Sequence, residues 1–343
     1  MSSVPQAPTF AAKAAFLARR ESLPDRPDAV ERIDTHFARV FLSDRLVYKL
    51  KKPIRVERAD FTAPAARRAY CELEVTLNRR LAADTYLRTV PLVETPAGLA
   101  LDGEGEPVDW LVEMRRLPAA RTLEAVAAQG AVRDADLVAV VRKLVRFYRE
   151  TPRAPWDAPT YAALLERRAG DYARQLAAAG PALDAARVAR VAAAQRALVA
   201  ASRDALASRI AAGRVVDAHG DLRPEHVFLT DDPQLIDCLE FSIELRWLDT
   251  AEEIAFLDLE LERLGHAALG ARLTALYREL SGDDAPRELV LLYRSQRAVV
   301  RALLSAWHLP GRSDADADRW TARARWYLGA AEAALAQARG RCP

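Results

Sequence analysis

Two periods of apolar and polar positions run along this chain, and the place where one gives way to the other divides it. Residues 9–22, TFAAKAAFLARRES, have helical spacing, and the LPDRPD that follows ends it, because two prolines disfavour continuing a helix. Over residues 35–56, THFARVFLSDRLVYKLKKPIRV alternates on both sides of Ser43-Asp44 and predicts a hairpin of two strands. Residues 64–82 return to helical spacing, with Ala69, Leu73, Leu77 and Leu81 along the expected buried stripe. VPLVET and DWLVEMRRL then read as strands on either side of an acidic, glycine-rich turn, LDGEGEP.

After Pro118 the texture changes. Segments 122–150, 158–179, 182–212, 250–280, 285–308 and 318–339 are rich in alanine, leucine and arginine with helical spacing. Several begin near Asp, Thr or Pro, which suit helix starts. Two short strand-like pieces, VFL (227–229) and QLID (234–237), sit among them. The expected class is α+β: an N-terminal helical extension over 1–30, a small β-rich part over 31–117, and a larger, mainly helical part over 118–343. The alanine-rich helices read as scaffold.

Composition narrows the function classes. The 343 residues are about half apolar, enough for a sizeable core in two lobes. Fifty basic residues against forty-eight acidic ones leave a net charge of +2, which argues against a global nucleic-acid or membrane role. Cys71, Cys238 and Cys342 form no framework and read as reduced thiols. The N-terminal stretch has no signal-peptide pattern, and no apolar run approaches the ~20 residues of a membrane span, so a cytoplasmic protein is expected.

The chemistry concentrates in HGDLRPEHVFL (219–229) and IDCLEF (236–241). A carboxylate in a loop can serve as a base toward a hydroxyl, and one at a strand end can hold a divalent cation. Phosphoryl transfer needs both, with a lysine on a separate element for the phosphates. The chain supplies a lysine on a strand (Lys49), an acid on a helix (Glu74), a loop acid (Asp221) and a strand-end acid (Asp237), the order in which kinase parts occur. Val47 shares a face with Lys49 by period two, which favours an inward Lys49. Lys51 and Lys52 beside it fit the other reading, exposed lysines that protect an edge strand. Glu72 competes with Glu74, and counting back from Leu77 and Leu81 favours Glu74. There is no GxxxxGK[ST], which excludes a P-loop ATPase within this sequence.

On these residues the chain resembles the aminoglycoside phosphotransferase-like kinases. HGDLRPEHVFL resembles their HGDxxxxN loop, IDCLEF their IDF segment, and RWLDTAEEIAFL their DPAxDLA segment. THFARVFLSDRLVYKLKKP with CELEVTLNRRLAADTYL is similar to a bacterial branch whose members are sometimes fused to a P-loop ATPase domain. The resemblance covers roughly residues 31–310. It implies a two-lobed, protein-kinase-like fold and ATP-dependent transfer of a γ-phosphoryl group to a hydroxyl of a small molecule. It makes a P-loop ATPase domain on another chain a candidate partner. By the same resemblance Asp221 is the catalytic base, Asp237 the principal Mg²⁺ ligand, and Lys49 the phosphate-binding lysine paired with Glu74. Met114 stands at the start of the hinge, with backbone near Arg115 and Leu117 facing adenine. His219 braces the loop, and Asp249 and Glu253 support it from behind.

Departures from the pattern matter as much. His226 stands where the family has asparagine. Imidazole is a softer ligand than a carbonyl oxygen, so His226 either ligates a different metal, Mn²⁺ for example, or serves phosphate or structure. No glycine lies between Ile33 and Lys49, so no Gly-rich loop covers the phosphates; the Ser43-Asp44 turn is the candidate for that place, against which Asp44 would repel phosphate if it pointed inward. Arg294, Arg297 and Arg301 share a helix face, as a solvated surface or as a site for an anionic acceptor. His36, His266 and His308 are isolated, Cys238 reads as packing, and Asp217 as a turn residue. Two other readings remain: a nucleotide-binding pseudokinase without turnover, and a protein kinase.

Overall fold

The computed structural model describes residues 8–179, 183–309 and 314–340; Cys342 lies outside the described residues. The chain folds into two compact units. The first comprises the chain to Val132 together with Glu225–Leu245, and the second comprises Arg133–Pro224 and everything from Arg246 on. This differs from a division at 117/118 in two ways: the first boundary falls at 132/133, and a later segment rejoins the first unit. The segment carrying Asp237 returns to the β-rich unit, drawn there by side chains rather than by its place in the sequence.

In the first unit, α1 (Phe10–Leu17) starts at Thr9, whose hydroxyl accepts the Ala12 N–H. Strands β1 (Glu31–Asp34), β2 (Ala38–Leu42) and β3 (Leu46–Lys51) follow. A short hairpin, β4 (Arg55–Val56) and β5 (Ala59–Asp60), leads into α2 (Pro64–Ala82). Then come β6 (Tyr86–Thr95), β7 (Gly98–Leu101), β8 (Glu106–Arg115) and α3 (Leu123–Ala128). The sheet is antiparallel throughout, in the order β1-β2-β3-β8-β6-β7. The predicted hairpin is present, closed by Ser43, whose Oγ accepts the Leu46 N–H at 3.0 Å. β1 was not predicted; all four of its residues are exposed and carry no alternation.

One face of the sheet packs Phe41, Tyr48, Leu50, Val90, Leu92 and Leu111 against Ala14, Phe16, Leu17 and Leu23. The expected N-terminal extension is therefore part of this unit's core. Each fully buried leucine or phenylalanine stabilises by roughly 1.5–3 kcal/mol. The other face packs Val47, Val112 and Met114 against Cys71, Val75 and Ala82 of α2. The expected α2 stripe is corrected here, since Ala69 and Leu73 are exposed. The buried face holds Arg67, Cys71, Glu74 and Asn78. Polar residues can occupy that face because each is paired. Arg67 makes two hydrogen bonds to Asp109, which also accepts from the Lys13 ammonium at 2.9 Å.

The second unit begins with α4 (Asp134–Glu150), α5 (Ala158–Ala178), α6 (Ala185–Ala201), α7 (Arg203–Ala211) and β9 (Val215–Asp217). The chain then gives β10 (Val227–Phe228) and β11 (Gln234–Leu235) to the first unit as a small antiparallel hairpin. It resumes through α8 (Ile243–Arg246) with β12 (Trp247–Asp249), α9 (Thr250–Arg263), α10 (Ala267–Ser281), α11 (Arg287–Ala306) and α12 (Asp314–Ala338). β9 and β12 pair antiparallel, and neither was predicted. The segments 122–150, 182–212 and 250–280 each hold two helices. Gly130 and Gly265 take the left-handed conformations that break two of them, at φ +64° and +87°. Phe256 and Leu259 of α9, Val299 and Leu303 of α11, and Tyr327 and Leu328 of α12 form the main core of this unit. Among the described residues no helix is long and apolar enough to cross a membrane.

Candidate functional site

In the first unit, β3 is an interior strand, so its lysines do not protect an edge. Lys49 and Lys51, two residues apart, use the same face. The Lys49 ammonium lies 2.6 Å from Glu74 Oε1 and donates to Asp237 Oδ1 at 2.6 Å. Burial opposes the Lys49 charge, but Asp237 and Glu74 outweigh it and hold the amine protonated well above its ordinary value. Lys51, only 2% exposed, donates to Glu74 Oε2 at 2.6 Å and also to Glu240 Oε1. Burial would raise the Glu74 pKa, yet the two lysines outweigh it and keep the carboxyl below its usual range. Glu72 is exposed and paired with Arg68 of the same helix, so α2 itself decides between the two glutamates.

Asp237 follows the β10–β11 hairpin in a left-handed conformation, φ +66°, which non-glycine residues rarely adopt. Its N–H donates to the Tyr86 hydroxyl at 3.0 Å, and the next N–H, of Cys238, donates to Asn78 Oδ1 at 2.8 Å. These bonds hold a backbone that the sequence alone would not choose. The Asp237 side chain stays 44% exposed. At the same open end of the hairpin, just before β10, His226 is 7% exposed, with Nε2 3.5 Å from Asp237 Oδ2. Cys238 is buried, and its Sγ accepts from Arg80 Nη2 at 3.4 Å.

Met114 is 5% exposed and belongs to the α2-facing core. The Arg115 N–H donates to the Thr85 carbonyl at 2.8 Å, and the Arg116 N–H to the Arg45 carbonyl at 2.8 Å. The Arg115 amide is thus committed within the sheet, and the half-buried Leu117 is the first residue beyond these bonds.

In the second unit, the loop of Asp221 is held mainly through its backbone. Gly220 is left-handed, φ +89°, which turns successive N–H groups to one side. The Glu253 carboxylate accepts the Gly220 N–H at 2.7 Å, the His219 N–H at 3.2 Å and the Tyr148 hydroxyl at 2.8 Å. Burial pushes the Glu253 carboxyl above its usual range against these donors. His219 is fully buried, and its Nδ1 accepts the Asp221 N–H at 3.3 Å. Asp221 Oδ2 accepts from Arg223 Nε at 3.0 Å. Asp249 is fully buried, caps α9, and accepts from Arg209 and Tyr293. Asp217 is corrected from a turn residue: it lies in β9, 7% exposed, and accepts from Arg246 Nε at 2.6 Å.

The α11 arginines are not a solvated face. Arg294 pairs with Asp258 and Glu262, Arg297 with Glu252 at 2.8 Å, and Arg301 with Glu260 at 3.2 Å. Arg297 Nη1 also donates to the Gly220 carbonyl at 3.1 Å. Their charge is already met by α9 carboxylates, which the spacing of α11 alone could not reveal. Alternate turns of α9, Glu252-Glu253, Glu260 and Glu262, were the available sign.

No protein-family model matches the chain. It is 35% identical over 289 residues to an uncharacterized protein of Mycobacterium tuberculosis and, equally, to one of Mycobacterium bovis. That match covers 83% of this chain but only 56% of either relative, so the chain spans about half the length of the curated relatives it matches. Among solved structures, choline kinase from Cryptosporidium parvum superimposes with a TM-score of 0.55 at 12% identity, covering 95% of this chain and 96% of that one. A glucosamine kinase in complex with glucosamine, ADP and inorganic phosphate gives 0.52 at 16% identity, over 88% of this chain and 79% of that one. The GDP complex of aminoglycoside 2'-phosphotransferase-IIIa gives 0.50 at 14% identity, over 95% and 99%.

Proposed function

We propose, from the premise that this chain has the α+β, protein-kinase-like fold of those structures, that it transfers the γ-phosphoryl group of ATP to a hydroxyl of a small molecule. The observation that carries this reading is the Lys49 ammonium, 2.6 Å from both Glu74 and Asp237. A strand lysine oriented by a buried glutamate, beside a partly exposed aspartate, supports a role in holding polyphosphate. Asp237 and His226 offer a carboxylate oxygen and an imidazole nitrogen side by side, a donor set that fits a divalent cation, Mg²⁺ or Mn²⁺. When bound, that cation would offset the negative charge of the phosphates. Asp221 would orient the acceptor hydroxyl and take its proton, with Glu253 and Arg297 fixing the N–H and carbonyl of Gly220 just before it. Since the Arg115 amide is committed to Thr85, Leu117 is the backbone position left to meet adenine.

The paired state of Arg294, Arg297 and Arg301 supports a loop-bracing role for Arg297 and gives no charge-based reason to favour an anionic acceptor. The testing experiment is thermal stabilisation by ATP, ADP and GTP with Mg²⁺ or Mn²⁺, followed by a screen of hydroxyl acceptors for phosphate transfer. Absence of metal-dependent stabilisation by any nucleotide overturns the proposal. A second reading, a nucleotide-binding module without turnover, draws on His226 standing where the resembled kinases have asparagine. Stabilisation by nucleotide with no Asp221-dependent release of phosphate would favour that reading.

A further inference from the structure

Lys51, which the edge-strand reading would expose, is instead almost fully buried in the charge cluster, 2% exposed beside Glu74 at 1%. Five ionic side chains alternate in sign along one path: Asp237, Lys49, Glu74, Lys51, Glu240. Their origins explain the pattern. The two lysines are two residues apart on β3, the outer acids are three apart on the segment after β11, and Glu74 alone comes from α2. Period two on the strand puts both ammonium groups on one face, so one helix carboxylate can use one oxygen for each.

Lys51 is 2% exposed, with its ammonium 5.7 Å above the Phe61 ring, so it has no access to a ligand. It can still act on Lys49 and Asp237 through what it holds. Its bond to Glu74 Oε2 fixes the rotation of the carboxylate whose other oxygen faces Lys49. Its bond to Glu240 fastens the far end of the segment that begins with the left-handed Asp237. Between those ends Cys238 is held to Asn78 of α2.

We infer that Lys51 is a positioning residue, which locks Glu74 and the 237–240 segment to β3 so that Lys49 and Asp237 are already in register before a nucleotide arrives. The inference rests on the phosphotransferase reading for its purpose, but not for its geometry. The charge-balanced double variant Lys51→Met/Glu240→Gln removes one cation and one anion and leaves the net charge of the cluster unchanged. Hydrogen exchange followed by mass spectrometry, without ligand, should then show the amides of residues 236–241 exchanging at least tenfold faster, with β6, β8 and α3 unchanged. Mg²⁺-ATP affinity, measured by titration, should fall at least tenfold.

Exchange in 236–241 equal to the parent protein overturns the inference, as does a uniform acceleration across the unit, which would mark Lys51 as a stability residue only. An unchanged nucleotide affinity overturns it as well. Should the double variant fail to fold, Glu240→Gln alone keeps the Lys51–Glu74 bond and must still loosen 236–241. If the parent protein binds no nucleotide, the proposed function falls, and the exchange measurement still decides whether Lys51 fastens the segment.

Discussion

Asp237 and Asp221 are held in opposite ways. The Asp237 side chain is held by charge: its carboxylate is tied to Lys49, and the segment after it to Lys51 through Glu240, while Tyr86 and Asn78 accept the Asp237 and Cys238 amides. Asp221 is fixed by backbone: two successive N–H groups before it end on Glu253, and its own N–H ends on His219. A charge pair facing solvent can be exchanged for a phosphate or a cation at modest cost, because the ligand replaces what it displaces. A carboxylate that accepts buried N–H groups has no such substitute, since each lost acceptor leaves a desolvated donor. The first unit therefore holds its acid in a way suited to binding, and the second in a way suited to keeping a loop still.

The sharpest test of that difference acts on Asp221 itself. Asp221→Asn preserves the loop's backbone bonds and removes only the base. Turnover should fall by about 10²–10⁴ with nucleotide affinity nearly unchanged. Kinetics with any acceptor found in the screen would check it, and full activity in the variant would remove Asp221 from the mechanism.

Next in size is the support behind it. Glu253→Ala leaves the His219 and Gly220 amides without their acceptor and should cost about 2–4 kcal/mol of stability in denaturant unfolding. A loss under 0.5 kcal/mol would mean that the loop is held by something other than this carboxylate, and the contrast with Asp237 would collapse.

The exchangeable side should respond through ligands rather than folding. Asp237→Ala should abolish metal-dependent stabilisation by ATP, while Lys49→Ala should weaken it about ten- to a hundredfold and keep its metal dependence. Equal thermal shifts in parent and Asp237→Ala would show that this acid does not bind the cation.

A further prediction concerns pH. Asp283, just after α10 and 3% exposed, accepts from Arg209 Nη2 at 2.8 Å; burial raises its pKa, but its bonds to Arg209 outweigh burial and leave the carboxyl below its ordinary value of 3.8. A depressed folded pKa gives stability that is complete above the unfolded value and lost as pH falls through the folded one. Acid unfolding should therefore steepen below about pH 4, and Asp283→Asn should flatten that limb. An unchanged slope would mean that Arg209 does not favour the charged form.

How much of this the sequence contained depends on the range of each interaction. The hairpin around Ser43-Asp44, the α2 helix and the HGD and IDC segments are visible because local spacing determines them. The Glu74 assignment followed from a count along one helix. The edge-strand reading of Lys51 fails because the strand's neighbours decide whether it is an edge, and β8, sixty residues on, covers it. The solvated-face reading of the α11 arginines fails for a similar reason: their partners lie on α9, and no pattern within α11 reports them. Glycine marked two of the helix breaks that alanine-rich periodicity concealed. The left-handed Asp237 had no signal at all, since the bonds that hold it come from Tyr86 and Asn78.

His226 gives the smallest expected effect and the finest test of the exchangeable side. It is nearly buried, its carbonyl accepts the Ile236 N–H at 3.0 Å, and its imidazole stands 3.5 Å from Asp237. The β10–β11 hairpin thus brings together the histidine that departs from the family pattern and the acid that keeps it. If the imidazole nitrogen is a metal ligand, the site should favour Mn²⁺ over Mg²⁺ relative to an all-oxygen site, because Mg²⁺ takes nitrogen donors reluctantly. His226→Asn should then lower the Mn²⁺/Mg²⁺ ratio a few-fold, both in nucleotide-dependent thermal stabilisation and in turnover. If the histidine only packs against Asp237, the substitution should change melting temperature or nucleotide affinity alike with either metal. An unchanged ratio would mean that the imidazole does not touch the cation, leaving Asp237 to hold it with oxygen donors alone.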